Sequence, residues 1–216
     1  MAPADSGTRF RDRTDAGERL GDELRERGID ADVVLAIPRG GLPVGRAVAD
    51  ALDAPLDVVV ASKIGAPDNP ELAIGAVAGD GSVWLDEDLV RRLGVDESYV
   101  ARERDRKMTA AREKARRYRD GGDQPVLTGK RVVVVDDGLA TGATARAALG
   151  VVGAAGAERV VLAVPVGPPE TVAALEPAAD AVIALLTPSV FGAVGQFYQR
   201  FDQVSDAEAM GYLDRQ

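Results

Sequence analysis

The 216-residue chain has no cysteine and no histidine. The first absence excludes disulfides and thiolate metal sites. The second removes the commonest general base and the commonest zinc ligand. Any catalysis must therefore use carboxylates, arginine, lysine, backbone amides or a metal brought in with a substrate. Aromatic residues are only 4% of the chain against 46% apolar residues overall, so aliphatic strands and alanine-rich helices must do most of the packing. No apolar run approaches the roughly 20 residues needed to span a membrane. The polar start, MAPADSGTRFRDRTD, lacks the apolar core of a signal peptide. A soluble, cytoplasmic protein is expected. Lysine is scarce, with 4 against 22 arginines, and the formal net charge of −9 argues against broad nucleic-acid binding.

The length suits one domain, and apolar periodicity divides it into alternating elements. Residues 14–28 read as an amphipathic helix, with Ala16, Leu20 and Leu24 on one face and Gly28 as its stop. Residues 33–37 and 56–61 read as strands, separated by a helix over 42–52 that tolerates Pro43 in its first turn. Residues 62–70, SKIGAPDNP, carry loop signals; 72–78 and 83–85 read as a hairpin around Gly79-Asp80-Gly81. A charged helical insertion spans 86–119 in two segments broken near Gly94, and GGDQP at 121–125 marks a loop. Strand 131–135, helix 142–155, strand 160–164, helix 169–175 and strand 181–186 follow. Strands alternating with helices predict an α/β fold, a mostly parallel sheet with helices on both sides. Ligands bind such sheets at the C-terminal ends of the strands.

One stretch carries most of the chemical information: residues 132–144, VVVVDDGLATGAT. Four valines lead straight into two adjacent carboxylates. A loop of small residues follows, with hydroxyls at Thr141 and Thr144, and then a helix begins. Small residues let backbone N–H groups approach a phosphate, and the helix N-terminus adds its positive dipole end. Carboxylates accept hydrogen bonds from hydroxyls. The combination suits a ligand that is both a phosphate ester and a polyol.

This run resembles the phosphoribosyl-pyrophosphate (PRPP) signature of type I phosphoribosyltransferases. The resemblance implies that Asp136 and Asp137 accept hydrogen bonds from the ribose hydroxyls and offset positive charge developing on the ring. It implies that Ala140, Thr141, Gly142, Ala143 and Thr144 cradle the 5′-phosphate. Mg²⁺ would arrive bound to PRPP, near the acid pair. The run Ile37-Pro38-Arg39-Gly40-Gly41, after the first strand, is similar to the family's pyrophosphate loop. There Arg39 would contact the diphosphate, and Gly40 and Gly41 would let backbone amides face it. Ser62-Lys63 follows the second strand, where several members carry a basic residue that reaches the diphosphate. The next stretch, GAPDNPELAIG, would be a mobile lid, with Glu71 at its end a candidate acceptor contact. Ordinary βα turns and a solvated lysine are the plain readings of these two elements taken alone.

The tail, TPSVFGAVGQFYQRFD at 187–202, holds three of the four phenylalanines. The family covers its acceptor with a variable hood, here expected mainly from 187–216, with the core over 14–186. Phe191, Phe197 or Tyr198 would stack on a flat acceptor ring, with Phe10 and Arg11 contributing; core packing is the competing reading for these aromatics. Ala140 stands where enzymes for 6-oxopurines commonly carry aspartate, which disfavours hypoxanthine and guanine. Residues 101–119 hold nine basic and three acidic side chains, a pattern that usually marks a solvated face or a subunit contact. The expected activity is 5-phosphoribosyl transfer from PRPP to a nitrogenous acceptor. A PRPP- or nucleotide-sensing regulator and a hydrolase of phosphoribosylated compounds are the alternatives. Nucleic-acid and membrane partners are not expected, and family members often dimerise.

Overall fold

Valine runs with no polar face are satisfied in strands buried on both sides, and the chain uses them that way. The computed structural model describes residues 9–119 and 125–214. In chain order they form α1 (Arg13–Glu26), β1 (Val33–Ala36), α2 (Gly41–Leu52), β2 (Leu56–Val58), β3 (Ala61–Ala66), β4 (Asn69–Ala78), β5 (Val83–Leu85), α3 (Glu87–Leu93), α4 (Glu97–Tyr118), β6 (Arg131–Val135), α5 (Ala143–Ala154), β7 (Arg159–Val166), α6 (Pro169–Leu175), β8 (Ala181–Leu186) and α7 (Asp206–Leu213). Short 3-10 turns lie at Glu176–Ala178 and Val194–Phe197.

A five-stranded sheet, order β2-β1-β6-β7-β8, is parallel throughout. Successive residues serve opposite faces. Val34, Ala36, Val133 and Val135 join one core with Leu20 and Leu24 of α1 and Val44 and Val48 of α2. Val33, Leu35, Val132 and Val134 join the other with Leu149 and Val152 of α5. The first core needs α1 and α2 close together. Gly17 and Gly21 permit this, because a Cβ at either would lie 2.6 Å from Val44 O or 2.5 Å from Ala51 Cβ.

From β1 the chain moves outward to β2, and from β6 it moves the opposite way to β7 and β8. The loops after β1 and β6 therefore diverge between neighbouring strands, opening a crevice at the C-terminal edge. This is where the RGG loop and the DDGLATGAT loop both sit.

Two expectations need correction. Strand 56–61 is cut short at Val58, and 62–70 is no irregular loop. β3, β4 and β5 form a separate antiparallel sheet, and the stretch expected as an irregular loop belongs to its β3–β4 hairpin. Its Pro and Gly are loop signals in the sequence. The ladder accommodates them through register shifts at Ile64/Gly65 and Gly65/Ala66, a setting that tolerates proline. Gly65 is also required by space, since a Cβ there would lie 2.4 Å from Pro70 O. Glu71 lies within β4, and its side chain is outside the described residues, as is most of the 121–125 loop.

The helical insertion breaks at Gly94, whose φ of 62° closes α3. Within α4, Arg106 pairs with Glu103 and Arg104 with Asp105, while Arg112 donates to Gly79 O, directly after β4 of the second sheet, at 3.0 Å. The tail packs against the N-terminal segment: Phe10 N–H donates to Phe197 O, and Gln199 and Arg200 N–H donate to Phe10 O and Arg11 O. Among the described residues no helix is long and apolar enough to cross a membrane.

Candidate active site

β6 ends in Val135, and the next two residues carry the acid pair into the crevice. Asp137 N–H donates to Asp136 Oδ1 at 2.9 Å, which fixes the first carboxylate against the turn. The backbone beyond is held to the neighbouring strand, because Leu139 N–H donates to Val166 O at 2.8 Å.

The RGG loop abuts the same pair. A Cβ at Gly40 would lie 2.0 Å from Asp137 Oδ2, and one at Gly41 would lie 2.8 Å from Val135 O. Gly40 itself has φ −60° and ψ −32°, which any residue adopts. Its glycine is thus explained by the approach of Asp137 and not by backbone conformation. Gly41 does not face a ligand through its amide, contrary to what the resemblance implies; its N–H donates to Ile37 O at 3.0 Å and starts α2. The Pro38–Arg39 peptide is cis. Arg39 is partly exposed, with Nη1 3.8 Å from Oδ1 of Asp206 in α7.

The phosphate loop completes the crevice. Gly142 caps α5 with φ 73°, a conformation that favours glycine, and offers no side-chain cap to the helix. The amides of the first turn of α5 therefore have no intrahelical acceptor. A cavity of about 150 Å³ lies against them, lined by Asp136, residues 138–145 and Val194. The Thr141 and Thr144 side chains are exposed there. Ala140 O accepts from Thr171 Oγ1 at 3.0 Å, which ties the loop to α6.

The start of α1 and the C-terminal tail reach the acid pair through residues that the sequence pattern missed or misplaced. Arg13, at the start of α1, donates from Nε to Asp137 Oδ2 at 2.8 Å and from Nη1 to Asp202 O at 2.7 Å. Its guanidinium lies 3.8 Å from the centroid of the Phe201 ring. Tyr198, expected to stack on an acceptor, is buried between Phe10 and Phe201. Its hydroxyl donates to Asp137 O at 2.6 Å. Burial and the nearby Asp137 charge push its pKa up, so it stays a donor. Phe191 and Phe197 remain partly exposed and stack on each other, with centroids 5.4 Å apart. Val194 covers Gly138, where a Cβ would lie 2.7 Å from Val194 Cγ1. Lys63 belongs to β3 of the second sheet, opposite Ala76, and not to a loop.

Burial lifts both carboxyls of the pair above the ordinary range. Asp136 rises most, because the charge of Asp137 adds to desolvation; for Asp137, Arg13 offsets part of the burial effect. The arrangement is a buried acid pair with one fixed cation, Arg13. Arg13→Gln should cost about 1–3 kcal/mol of stability at neutral pH by stranding Asp137, and much less below pH 4, where Asp137 is protonated. Urea unfolding across pH checks this; an equal loss at every pH would place Arg13's contribution in its packing on Phe201.

Comparison with known proteins agrees with the motif. Residues 11–198 match the phosphoribosyl transferase domain. Two Mycobacterium tuberculosis proteins provisionally named phosphoribosyl transferases, Rv0571c of strain H37Rv and MT0597 of strain CDC 1551, are each 48% identical over 206 residues. That is 95% of this chain but 46% of theirs, so the chain spans less than half the length of these relatives. The crystal structure of TT1426 from Thermus thermophilus superposes with a TM-score of 0.88 at 45% identity, covering 95% of this chain and 97% of that one. With the acid pair, the RGG loop and the phosphate loop all inside the matched span, the chain belongs to the phosphoribosyl transferase family.

Proposed function

We propose that the chain transfers a 5-phosphoribosyl group from PRPP to a nitrogenous acceptor and releases pyrophosphate. The observation that carries this reading is the contact of Gly40 with Asp137. It sets the 38–41 loop, which would bind diphosphate, directly beside the acid pair that would accept from ribose hydroxyls, and PRPP joins a diphosphate to a ribose through one C1′–O bond.

The 5′-phosphate would sit in the cavity at the start of α5, held by backbone amides and by the Thr141 and Thr144 hydroxyls. The ribose hydroxyls would donate to Asp136 and Asp137. As the C1′–O bond to the diphosphate breaks, the ring gains positive charge, and the two carboxylates stabilise it. Arg39 would bind the leaving diphosphate, suited by its multidentate geometry. Lys63 would join it when the β3–β4 hairpin folds over the crevice and excludes water. The acceptor nitrogen would attack C1′ from the hood side, where Phe191 and Phe197 offer a flat apolar surface.

Among the described residues no cluster of acidic, histidine or cysteine side chains is placed to hold a metal of its own. Mg²⁺ would arrive on the diphosphate of PRPP, near Asp136 and Asp137. There it would neutralise the leaving group.

Calorimetric titration with PRPP, with and without Mg²⁺, tests the assignment, with ribose 5-phosphate as the comparison ligand. Mg²⁺-dependent binding of PRPP at least about tenfold tighter than ribose 5-phosphate, a difference of about 1.4 kcal/mol, is expected. Equal affinity for the two ligands would remove the RGG loop from the binding site and favour a hydrolase or sensor of 5′-phosphates.

A further inference from the structure

The basic end of α4 and the C-terminal helix meet at the RGG loop. Asp206 is the first residue of α7. Its Oδ1 lies 3.8 Å from Arg39 Nη1, and its Oδ2 lies 3.7 Å from Arg117 Nη1. The Tyr118 hydroxyl donates to Oδ1 at 3.0 Å. Tyr118 is buried, and its pKa is pushed up to about 12 by desolvation and by Asp206, so it stays a donor. Donors from the β1–α2 loop and from α4 thus converge on one carboxylate.

The convergence is fixed from both sides. Arg119, directly after α4, donates to Asp57 and to Val58 O at 2.8 Å each. Val58 ends β2, so the end of α4 is held at the C-terminal edge of the parallel sheet, beside the RGG loop. On the other side, Ser205 and Glu208 form a capping box that sets where α7 begins.

We propose that Asp206 is an internal anion seated on the diphosphate site, and that Arg39 and Arg117 together bind the diphosphate that displaces it. This deepens the phosphoribosyl-transfer reading and rests on its assignment of the 38–41 loop. The strength of the contacts suits displacement. Both ion pairs are long, and all three charged side chains are substantially exposed, so the carboxylate is held weakly. A diphosphate brings more negative charge and more acceptor oxygens, and multidentate bonds to guanidinium are the stronger kind. Asp206 then acts as a filter. It keeps singly charged anions out of the arginine pair and yields to a ligand of higher charge. The arrangement also gives the C-terminal end of the basic helix a role that its Glu103 and Asp105 pairs do not.

The test is calorimetric titration of the full chain with inorganic pyrophosphate, without acceptor. Asp206→Asn keeps an acceptor for Tyr118 and removes the charge; it should bind pyrophosphate about tenfold more tightly than the unchanged chain. Arg117→Gln should bind it several-fold more weakly. Asp88→Asn, which removes one negative charge from the exposed face of α3, should change little. Unchanged or weaker binding by Asp206→Asn, or an equal gain in Asp88→Asn, would overturn the proposal. Arg39→Gln separates the two levels. If it abolishes binding while Asp206→Asn has no effect, the loop assignment stands and the internal anion falls. If Arg39→Gln leaves binding intact, the loop assignment falls and takes this proposal with it.

Discussion

Gly40→Ala should lower phosphoribosyl transfer by about 100-fold, the scale of losing one well-placed electrostatic contact, and should cost no more stability than the roughly 1–3 kcal/mol assigned to the Arg13–Asp137 contact. The alanine is conformationally acceptable, since Gly40 already has φ −60°. The difficulty is its Cβ, which would lie 2.0 Å from Asp137 Oδ2. The Asp137 carboxylate must turn aside, and the oxygen that moves is the one that accepts from Arg13 Nε at 2.8 Å. The substitution therefore costs the ion pair and, on the proposed reading, ribose binding as well. Steady-state kinetics with PRPP as the varied substrate, beside thermal unfolding, measures both. Full activity in the variant would mean that Asp137 has a second productive orientation and that the contact between the loops is incidental.

The same residues show what a sequence discloses. The strand, acid pair and phosphate loop lie within thirteen consecutive positions, 132–144, so their relation is local and the motif displays it. The β-α-β alternation also discloses the sheet and both of its cores, because each strand's pattern is periodic over a few residues. Arg13 carries no such signal. Its partner is 124 positions away, and nothing in RDRTD separates a buried ion-pairing arginine from its solvated neighbours. Tyr198 stands out as one of few aromatics, yet its place beneath Asp137 depends on Phe10 and Phe201 closing around it. The β3–β4 hairpin is hidden for a different reason. Pro70 and Gly65 normally break strands, and only the paired register, with its bulge, shows how the ladder accommodates them. Local chemistry is legible; long-range charge pairing and tolerated exceptions are not.

Asp136→Asn should stabilise the fold at neutral pH while reducing turnover, a trade common where function requires a strained or buried charge. The carboxyl of Asp136 is held well above its ordinary pKa by burial and by the charge of Asp137. A folded-state pKa above the unfolded value means that the folded chain binds the proton more tightly. That contribution to stability is present in full below about pH 4, near the unfolded value, and is lost as pH rises through the folded value. At neutral pH the buried carboxyl of Asp136 is thus a net cost to the fold, and a neutral side chain removes it. Asparagine keeps an oxygen for the Asp137 N–H, which donates to Oδ1 at 2.9 Å, so the turn should survive. The unfolding midpoint should rise by several degrees at pH 7.5, given about 2–4 °C per kcal/mol for a domain of this size, and should match the unchanged chain near pH 3.5. Turnover should fall at pH 7.5, because Asn supplies no charge to the oxocarbenium-like ring, and should differ little near pH 3.5, where the raised pKa leaves Asp136 of the unchanged chain protonated as well. A variant less stable at pH 7.5 would show that Asp136 is held ionised by a partner within the fold. The pair would then be a structural charge cluster, and the ribose assignment would pass to Asp137 alone.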